Sequence, residues 1–419
     1  MAISMTTQDV IANNSRLLVF EKLEIKRRYS TGFEASWVDI SKYLLFTNAS
    51  KIAQRLDFDA YGYGQFKTGT AKFTVDNSHG TFNNEFDLYS LFSGTLSRHY
   101  TKVRYHAGYK DEDGNNVDEV VFEGLINGKA IKQEFETGTM VIDILAYEQI
   151  LTERTIAGSA IINSVASLVI GDIFNGDISI TDFINFSSGN IIPGNDLTFD
   201  DATKFEKKKV SSVLNDIAKK TNSVWYVDAT QNIIFKSRDA NANTPFAFIG
   251  GARQSSSVNI LSIDFFDDGF RKIINEVKYT SGSSITLTAS TTPNTLAKHG
   301  TNQLALTGED ITTQATIDAL STAIIAANED PKKRVILTTV YMPNVIAFLD
   351  KCTVDYRPTT TFFGEKPFLF NADEVTFNDG FFFGAFSNQN IIKDTARFKY
   401  FGFMHDVKSG TTRHYLIEI

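Results

Sequence analysis

The hydrophobic period of the chain changes most clearly between residues 207 and 238. In the first part of this segment, apolar residues recur at the i, i+3, i+4 and i+7 positions that form one buried face of a helix: Val210, Val213, Leu214, Ile217 and Ala218. From residue 223 the apolar residues become consecutive, and a polar turn at residues 228–232 separates two such runs. The pattern therefore predicts a helix at residues 210–220 followed by a β-hairpin at residues 223–236.

The helix and the hairpin are expected to pack face to face. A helix with one apolar face needs a partner surface, and the short hairpin that follows it is the nearest one. We expect five side chains to form the core of this unit and to contact no ligand: Val213, Leu214, Ile217, Trp225 and Phe235.

On the N-terminal side of this unit the pattern is that of strands. After a polar segment at residues 1–15, short apolar or alternating runs are separated by turns rich in Gly, Ser and Asp. Spacing of this kind is typical of a β-sandwich or barrel. The runs lie at residues 16–25, 37–45, 51–58, 70–75, 102–109, 120–126 and 140–146.

On the C-terminal side the strand pattern returns after a loop at residues 239–257, and a helical insert at about residues 310–328 interrupts it. We therefore predict a mostly β fold of the α+β class, with two small antiparallel β-barrels and a helix–hairpin module between them. The predicted boundaries are residues 1–150 for the first barrel, 151–257 for the module and 258–419 for the second barrel.

Charge and composition narrow the possible functions. The chain of 419 residues has a net charge of -8 and an isoelectric point near 5.4, which argues against a protein that grips nucleic-acid phosphates. Cys352 is the only cysteine, so an intramolecular disulfide and a cysteine zinc cluster are excluded, and we expect a buried, inert thiol. The sequence has no apolar run of membrane-spanning length and no secretory signal, which predicts a soluble, unsecreted chain.

Segments that resemble calcium-binding or phosphate-binding motifs lack residues that those motifs require. Residues 111–122 resemble a calcium loop, but Asn116 and Phe122 stand where Gly and Glu are needed, so a hairpin turn is the better interpretation. Residues 124–130 lack the spacing and the Ser or Thr of a phosphate loop. The six histidines have no two-ligand spacing, and we expect most of them at the surface or at strand edges. The sequence thus predicts no catalytic, cofactor or metal site.

Two segments have a similar pattern. Residues 122–126 and 138–144 form a strand containing Gly, a connection that ends in Gly-Thr, and a closing strand of the form Ile-x-Ile. Residues 401–404 with 410–411 and 416–419 repeat this order. Two alternatives remain open at this point: one chain contains two related β-barrels, or two unrelated hairpins share a common pattern.

Four groups of segments occur in a characteristic order along the chain. They are residues 37–41 (WVDIS) with 73–77 (FTVDN) and 80–82 (GTF); residues 103–109 with 121–126 (VFEGLI); the helix–hairpin at residues 210–235; and residues 273–279 with the helical insert and residues 352–356 (CTVDY). This order resembles the hub proteins of tailed bacteriophages, which include baseplate hubs of contractile tails and tail-tip hubs of non-contractile ones. Nearly the whole chain is covered, although the Phe-rich residues 362–386 depart from the pattern.

The resemblance implies a structural virion protein, made in the host cytoplasm, that forms a homotrimer at the tail tip or baseplate. Its implied partners are the tail tube protein, the distal tail protein, the tape measure protein and a tail-tip, fibre or spike protein, with DNA only in transit through the central channel. The family implies no enzyme activity and no cofactor. Two alternatives remain: a receptor- or carbohydrate-binding tail-tip protein that uses the exposed aromatic residues Phe381, Phe382 and Phe383, and, less favoured, a glycosidase.

Overall fold

The fold is taken from a computed structural model of the 419-residue chain. The described residues are 19–47, 50–57, 65–110, 116–128, 132–134, 136–156, 163–175, 182–199, 201–238, 246–251, 260–267, 273–281, 285–290, 299–308, 314–328, 333–340, 346–357 and 397–418.

The first β region, residues 19–146, consists of eleven described strands. The last strand shows why this sequence forms a sheet, because Met140, Ile142, Ile144 and Ala146 are buried while the residues between them are half-exposed. The strands are β1 (Val19–Lys26), β2 (Arg28–Tyr29), β3 (Gly32–Phe33), β4 (Val38–Asp39), β5 (Leu44–Leu45), β6 (Lys51–Asp57), β7 (Gln65–Asp76), β8 (Lys102–Lys110), β9 (Asn116–Ile126), β10 (Lys132–Glu134) and β11 (Thr139–Ala146).

The described residues of the central module, residues 148–238, contain three α-helices and one small sheet. Its order is α1 (Glu148–Glu153), α2 (Ala166–Asn175), β12 (Ile191–Ile192), α3 (Val210–Lys220), β13 (Ser223–Val227) and β14 (Ile233–Ser237). Strands β13 and β14 form the antiparallel hairpin, and β12 pairs with β14 in parallel. Helix α3 packs against β13, and it ends at Lys220 with Thr221 as its C-cap.

The second β region, residues 246–418, has nine described strands and one helix. They are β15 (Phe246–Gly251), β16 (Ile260–Asp267), β17 (Glu276–Ser281), β18 (Ile285–Ser290), β19 (Gln303–Gly308), α4 (Gln314–Asn328), β20 (Lys333–Val340), β21 (Lys351–Arg357), β22 (Arg397–Asp406) and β23 (Thr411–Glu418). Strands β18, β17 and β19 form a separate three-stranded sheet, and α4 packs against β17 and β18.

The two β regions share one sheet of 15 strands. Strand β6 of the first region pairs with β22 of the second, with Gln54 opposite Phe403 and Ile52 opposite His405. No sheet in the described part of the chain closes on itself. The prediction of a mostly β fold is therefore confirmed, whereas the arrangement as two small barrels is not, because the pairing of β6 with β22 joins the two regions edge to edge.

Two strands of the second region differ from the sequence prediction. The predicted loop at residues 239–257 contains β15, which pairs in parallel with β21, and β19 precedes the helical insert where no strand was predicted. Both strands are short and close to polar, turn-forming residues. Their apolar pattern is therefore too short to distinguish a strand from a loop. The Phe-rich residues 362–386, including Phe381, Phe382 and Phe383, lie outside the described residues.

The repeated pattern corresponds to similar backbone geometry at one position. Gly138 and Gly410 both precede the closing strand, and their φ angles are 62° and 60°. This left-handed conformation favours glycine. The connections differ, because β10 lies between β9 and β11 whereas β22 and β23 form a direct hairpin. The turn glycine is thus the shared feature of the two segments.

A continuous apolar core runs through the described parts of all three units. It includes side chains of the first β region, of α3 and the hairpin, and of β20 to β23. Among the described helices, none has both the length and the hydropathy of a membrane span.

Candidate functional site

The structure buries all five side chains that the sequence places in the core of the central module. Val213, Leu214 and Ile217 line the inner face of α3, and Trp225 and Phe235 lie on the hairpin opposite each other. The indole Nε1 of Trp225 donates a hydrogen bond of 2.7 Å to Oδ1 of Asn215. The polar edge of the indole is therefore satisfied while its rings are packed in apolar surroundings.

The hairpin also contacts the second β region. The ring of Tyr226 packs edge-on against Phe348, with 4.9 Å between centroids. Next to it, Nζ of Lys236 lies 3.7 Å from Oδ1 of Asp350, and burial lowers the pKa of the lysine and raises that of the carboxyl. Nζ of Lys399 donates to the backbone oxygen of Arg238. These contacts fix the hairpin to the second β region.

The junction between the central module and the first β region is built around two buried glutamates. The first is Glu123 of β9. Its Oε1 accepts hydrogen bonds from the hydroxyl of Tyr147 at 3.1 Å and from Nε2 of Gln231 at 2.5 Å, and its Oε2 lies 3.4 Å from Nε of Arg104. The guanidinium of Arg104 also lies 4.1 Å from the ring centroid of Trp37. One carboxylate thus joins two strands of the first region to the tip of the hairpin.

The second glutamate is Glu148, the first residue of α1. Its Oε1 accepts a hydrogen bond of 3.2 Å from the backbone nitrogen of Val227, and Nε2 of Gln54 donates to the backbone oxygen of the same valine at 3.2 Å. Burial raises the pKa of the Glu148 carboxyl to about 8. Its Oε2 makes no hydrogen bond within the described structure. The backbone nitrogen and oxygen of Val227, at the end of β13, are therefore both hydrogen-bonded to buried side chains.

A lysine in an aromatic environment forms the third contact at this junction. Nζ of Lys102 lies 4.7 Å from the ring centroid of Phe33, 5.3 Å from that of Phe183 and 5.7 Å from that of Tyr147. The same nitrogen donates to the backbone oxygen of Asp182. Burial lowers the pKa of Lys102. The ammonium thus holds residues 182–183 of the central module against the first β region through cation–π contacts.

Two histidines are buried in the second β region. Nε2 of His414 lies 2.9 Å from Oγ1 of Thr339 and its Nδ1 lies 3.2 Å from the hydroxyl of Tyr400, while Nδ1 of His405 lies 2.7 Å from Oγ1 of Thr412. Burial lowers the pKa of His405 to about 3 and that of His414 well below its usual value. Neutral imidazoles therefore serve as hydrogen-bonding groups in the sheet.

The sequence pattern does not indicate the junction residues. Glu123, Glu148 and Lys102 lie in or beside strands, where charged residues usually face solvent, and no local signal marks them as buried. In the described ranges, no group of His, Cys, Asp and Glu is arranged to hold a metal ion. Cys352 is buried, and burial raises the pKa of its thiol, as is typical of an unreactive cysteine.

Comparison with solved structures gives relatives of low sequence identity that cover most of the chain. A tail protein from Neisseria meningitidis MC58 matches with a TM-score of 0.53 and 11% identity, over 95% of this chain and 96% of that one. The 43 kDa tail protein of prophage MuSo2 from Shewanella oneidensis matches with a TM-score of 0.49 and 11% identity, over 95% and 98%.

A third match is to a Francisella PdpA–VgrG complex, with a TM-score of 0.46 and 9% identity, over 99% of this chain and 61% of that one. No protein-family model and no curated protein sequence matches. The match to the Neisseria protein is the one that supports an argument about the fold, and it extends over nearly the full length of both chains. The chain therefore shares the fold of this tail protein.

Proposed function

We propose that this protein is a structural component of a bacteriophage tail, and specifically the hub that joins the tail tube to the tail tip and surrounds the DNA exit channel. The supporting observation is the similarity of fold to the Neisseria tail protein over 95% of the chain. The buried charged groups support it further, because Glu123 and Lys102 join the first β region to the central module and Lys399 joins that module to the second β region, rather than lining a pocket. A rigid connection of units is what a structural protein requires.

The hub acts as a homotrimer in the virion and contacts the tail tube, distal tail and tape measure proteins and a fibre or spike protein. Closed rings of identical protomers are a common solution for such assemblies. Native mass measurement of the purified chain, alone and with tube protein, tests the proposal, and electron microscopy then locates the chain in the particle. We expect a trimer that caps tube ends. A strict monomer that ignores tube protein at high concentration would contradict it.

The channel wall of the ring carries more Asp and Glu than Lys and Arg. The net charge of -8 supports this, because each lysine or arginine on the wall would add affinity for passing DNA through counterion release. We expect the purified ring to bind duplex DNA weakly even at low salt. Tight binding that weakens with added salt would overturn the acidic-wall proposal without affecting the structural role.

The same preparation tests the alternatives. Release of reducing sugar from host cell-surface glycan would indicate a glycosidase, and saturable binding of that glycan without release would indicate a receptor-binding protein. We expect neither result for a hub. A control incubation with heat-denatured protein separates specific binding from adsorption to unfolded chain.

A further inference from the structure

The first β region exposes an unusual cluster of large apolar side chains. In the loop between β7 and β8, Phe86, Leu88 and Tyr89 are 86%, 85% and 89% exposed. We name residues 84–89 the apolar loop. It lies between Phe82 and Phe92, which are buried and whose ring centroids are 6.4 Å apart. Both ends of the loop are therefore anchored in the core while its tip projects outward.

The apolar loop is held in one conformation by its own polar groups. The carboxylate of Asp87 accepts from Nδ2 of Asn83 at 2.6 Å and from the backbone nitrogen of Tyr89 at 3.0 Å. Oδ1 of Asn84 accepts from the backbone nitrogen of Phe86, and the hydroxyl of Ser90 donates to the backbone oxygen of Asn83. A loop ordered in this way loses little conformational entropy when it docks.

The acidic groups of the loop have partners in the adjoining chain. The hydrogen bond from Asn83 is the main reason that the pKa of Asp87 lies below its usual value, and Glu85 lies 3.7 Å from Nε of Arg98. The surface offered by the tip is therefore apolar although the chain has a net charge of -8. This matters for contact between copies of one acidic chain, since an apolar contact avoids bringing like charges together.

The exposed area is large enough for an interface. A phenylalanine, a leucine and a tyrosine exposed to this degree present roughly 500 Å². The largest apolar patch of a typical monomer is about 300–600 Å², and one side of a standard protein interface buries about 800 Å². The tip alone thus supplies more than half of one side of an interface.

The central module exposes a second apolar patch. Leu168 of α2 and Ile192 of β12 are 60% and 63% exposed, and α2 packs against β12. Phe186 stacks on Phe174 with centroids 5.4 Å apart and lies over Gly171, which is one helical turn from Leu168 and shares its face of α2. We name Leu168, Phe186 and Ile192 the α2 patch. The ring of the half-buried Phe186 lies against the position that a side chain at Gly171 would occupy.

We propose that the apolar loop of one copy packs on the α2 patch of a second copy of this chain. The two surfaces lie on different units of the protomer, so the contact is head to tail, and each copy keeps one free surface of each kind until a ring closes. The proposal rests on the self-association that is part of the proposed function.

Cysteine cross-linking tests the pairing directly. Variants Tyr89→Cys and Leu168→Cys, mixed in equal amounts and treated with a short bis-maleimide, should give a cross-linked dimer that neither variant gives alone. Cys352 is buried and does not contribute. A mixture of Phe46→Cys with Leu168→Cys is the matched control, because Phe46 is also exposed and apolar, and it should give no product. A dimer formed by Tyr89→Cys alone would mean loop-to-loop contact and would overturn the proposal.

Sedimentation velocity provides the second test. Changing Phe86, Leu88 and Tyr89 together to Ser should weaken self-association by about 30-fold or more, the loss typical of interface hot spots, with an unchanged melting temperature. The double variant Phe46→Ser, Leu261→Ser should leave association unchanged.

The outcomes of sedimentation velocity separate this proposal from the proposed function. A triple variant that still forms the wild-type assembly overturns this proposal and leaves the proposed function intact. A triple variant that self-associates normally but no longer binds tube protein shows that another tail protein occupies the loop. A wild-type chain that is monomeric both alone and with tube protein removes the proposed trimer as well.

Discussion

The core beneath α3 and the junction with the first β region are both buried, but they are built from different chemistry. The core consists of apolar side chains such as Leu214 and Phe235, with one hydrogen bond from Trp225 at its edge. The junction contains Glu123, whose carboxylate reaches from the first β region to the hairpin, and Glu148, which binds the same valine as Gln54 of the first β region. The core therefore offers no carboxyl group to titrate, whereas burial raises the pKa of Glu148 at the junction to about 8.

The two regions also differ in what a substitution removes. In the core, the loss of a methyl group leaves a cavity whose cost depends on how far its surroundings relax. At the junction, the loss of one carboxylate leaves several donors without an acceptor, and each buried unsatisfied group is costly. Substitutions in each region, with exposed controls nearby, test whether this contrast holds.

The largest effect is expected from Leu214→Ala. The side chain is fully buried, so its truncation should lower the free energy of unfolding by about 2–5 kcal/mol. Ser212→Ala, at an exposed position of the same helix, should change it by less than about 0.5 kcal/mol. Urea denaturation followed by tryptophan fluorescence measures both. Equal effects of the two variants would show that the inner face of α3 is not packed as described.

Glu148→Gln should change the pH dependence of stability. The pKa of Glu148 is raised from 4.5 to about 8 in the folded protein, so the neutral carboxyl is favoured by folding. Its contribution is complete below pH 4.5 and is lost as the pH rises toward 8, by up to about 1.4 kcal/mol for each pH unit. The variant cannot ionise. We therefore expect it to gain stability relative to wild type as the pH rises from 5 to 8.

Melting temperatures of wild type and variant at several pH values check this prediction. Comparison at each pH cancels the contributions of other groups, including His405 and His414, which are the same in both chains. Glu153→Gln is the matched control, because Glu153 ends the same helix but is exposed. A constant difference for Glu148→Gln would mean that this carboxyl is ionised in the folded protein.

Glu123→Gln should have an intermediate effect. The glutamine has one acceptor oxygen where the carboxylate serves Arg104, Tyr147 and Gln231, and its amide group would face donors. Because hydrogen bonds to charged groups contribute about 1.5–3 kcal/mol, we expect a loss of that size. Hydrogen exchange should speed up at the hairpin tip, residues 228–232, more than in α3. Glu136→Gln, at an exposed position, is the control, and uniform exchange changes would contradict a local role.

The contrast between the core and the junction also explains which parts of the structure can be predicted from the sequence. The helix at Val210–Lys220 and the hairpin after it have local periods, because every contact between their apolar faces follows from spacing within about 30 residues. The hydrogen bond from Gln231 to Glu123 joins residues 108 apart, and that from Gln54 to Val227 joins residues 173 apart. Hydrophobic periodicity does not indicate contacts between residues so far apart in the sequence. A single sequence therefore does not reveal the junction.

The pairing of strands in the large sheet could not be predicted for the same reason. Alternation predicts that β6 and β22 are strands, but both edges of a strand offer the same backbone groups, so alternation does not specify which strand lies beside it. The pairing of β6 with β22, which joins the two β regions, was therefore not predicted, and two separate barrels were expected instead. The exposure of Phe86, Leu88 and Tyr89 was not predicted either, because large apolar side chains are usually buried.

The smallest effect is expected from Asn215→Ala. This variant tests whether the core depends on the polar contact at its edge. This substitution removes the acceptor of the 2.7 Å hydrogen bond from Trp225 and leaves the apolar contacts of the indole in place. Since a typical hydrogen bond contributes about 1 kcal/mol, the free energy of unfolding should fall by about that amount. In a Trp37→Phe background, Trp225 is the only tryptophan, and its emission should remain that of a buried indole. A red-shifted emission, or a loss as large as that of Leu214→Ala, would show that the polar edge positions the indole. The core and the junction would then both depend on polar contacts.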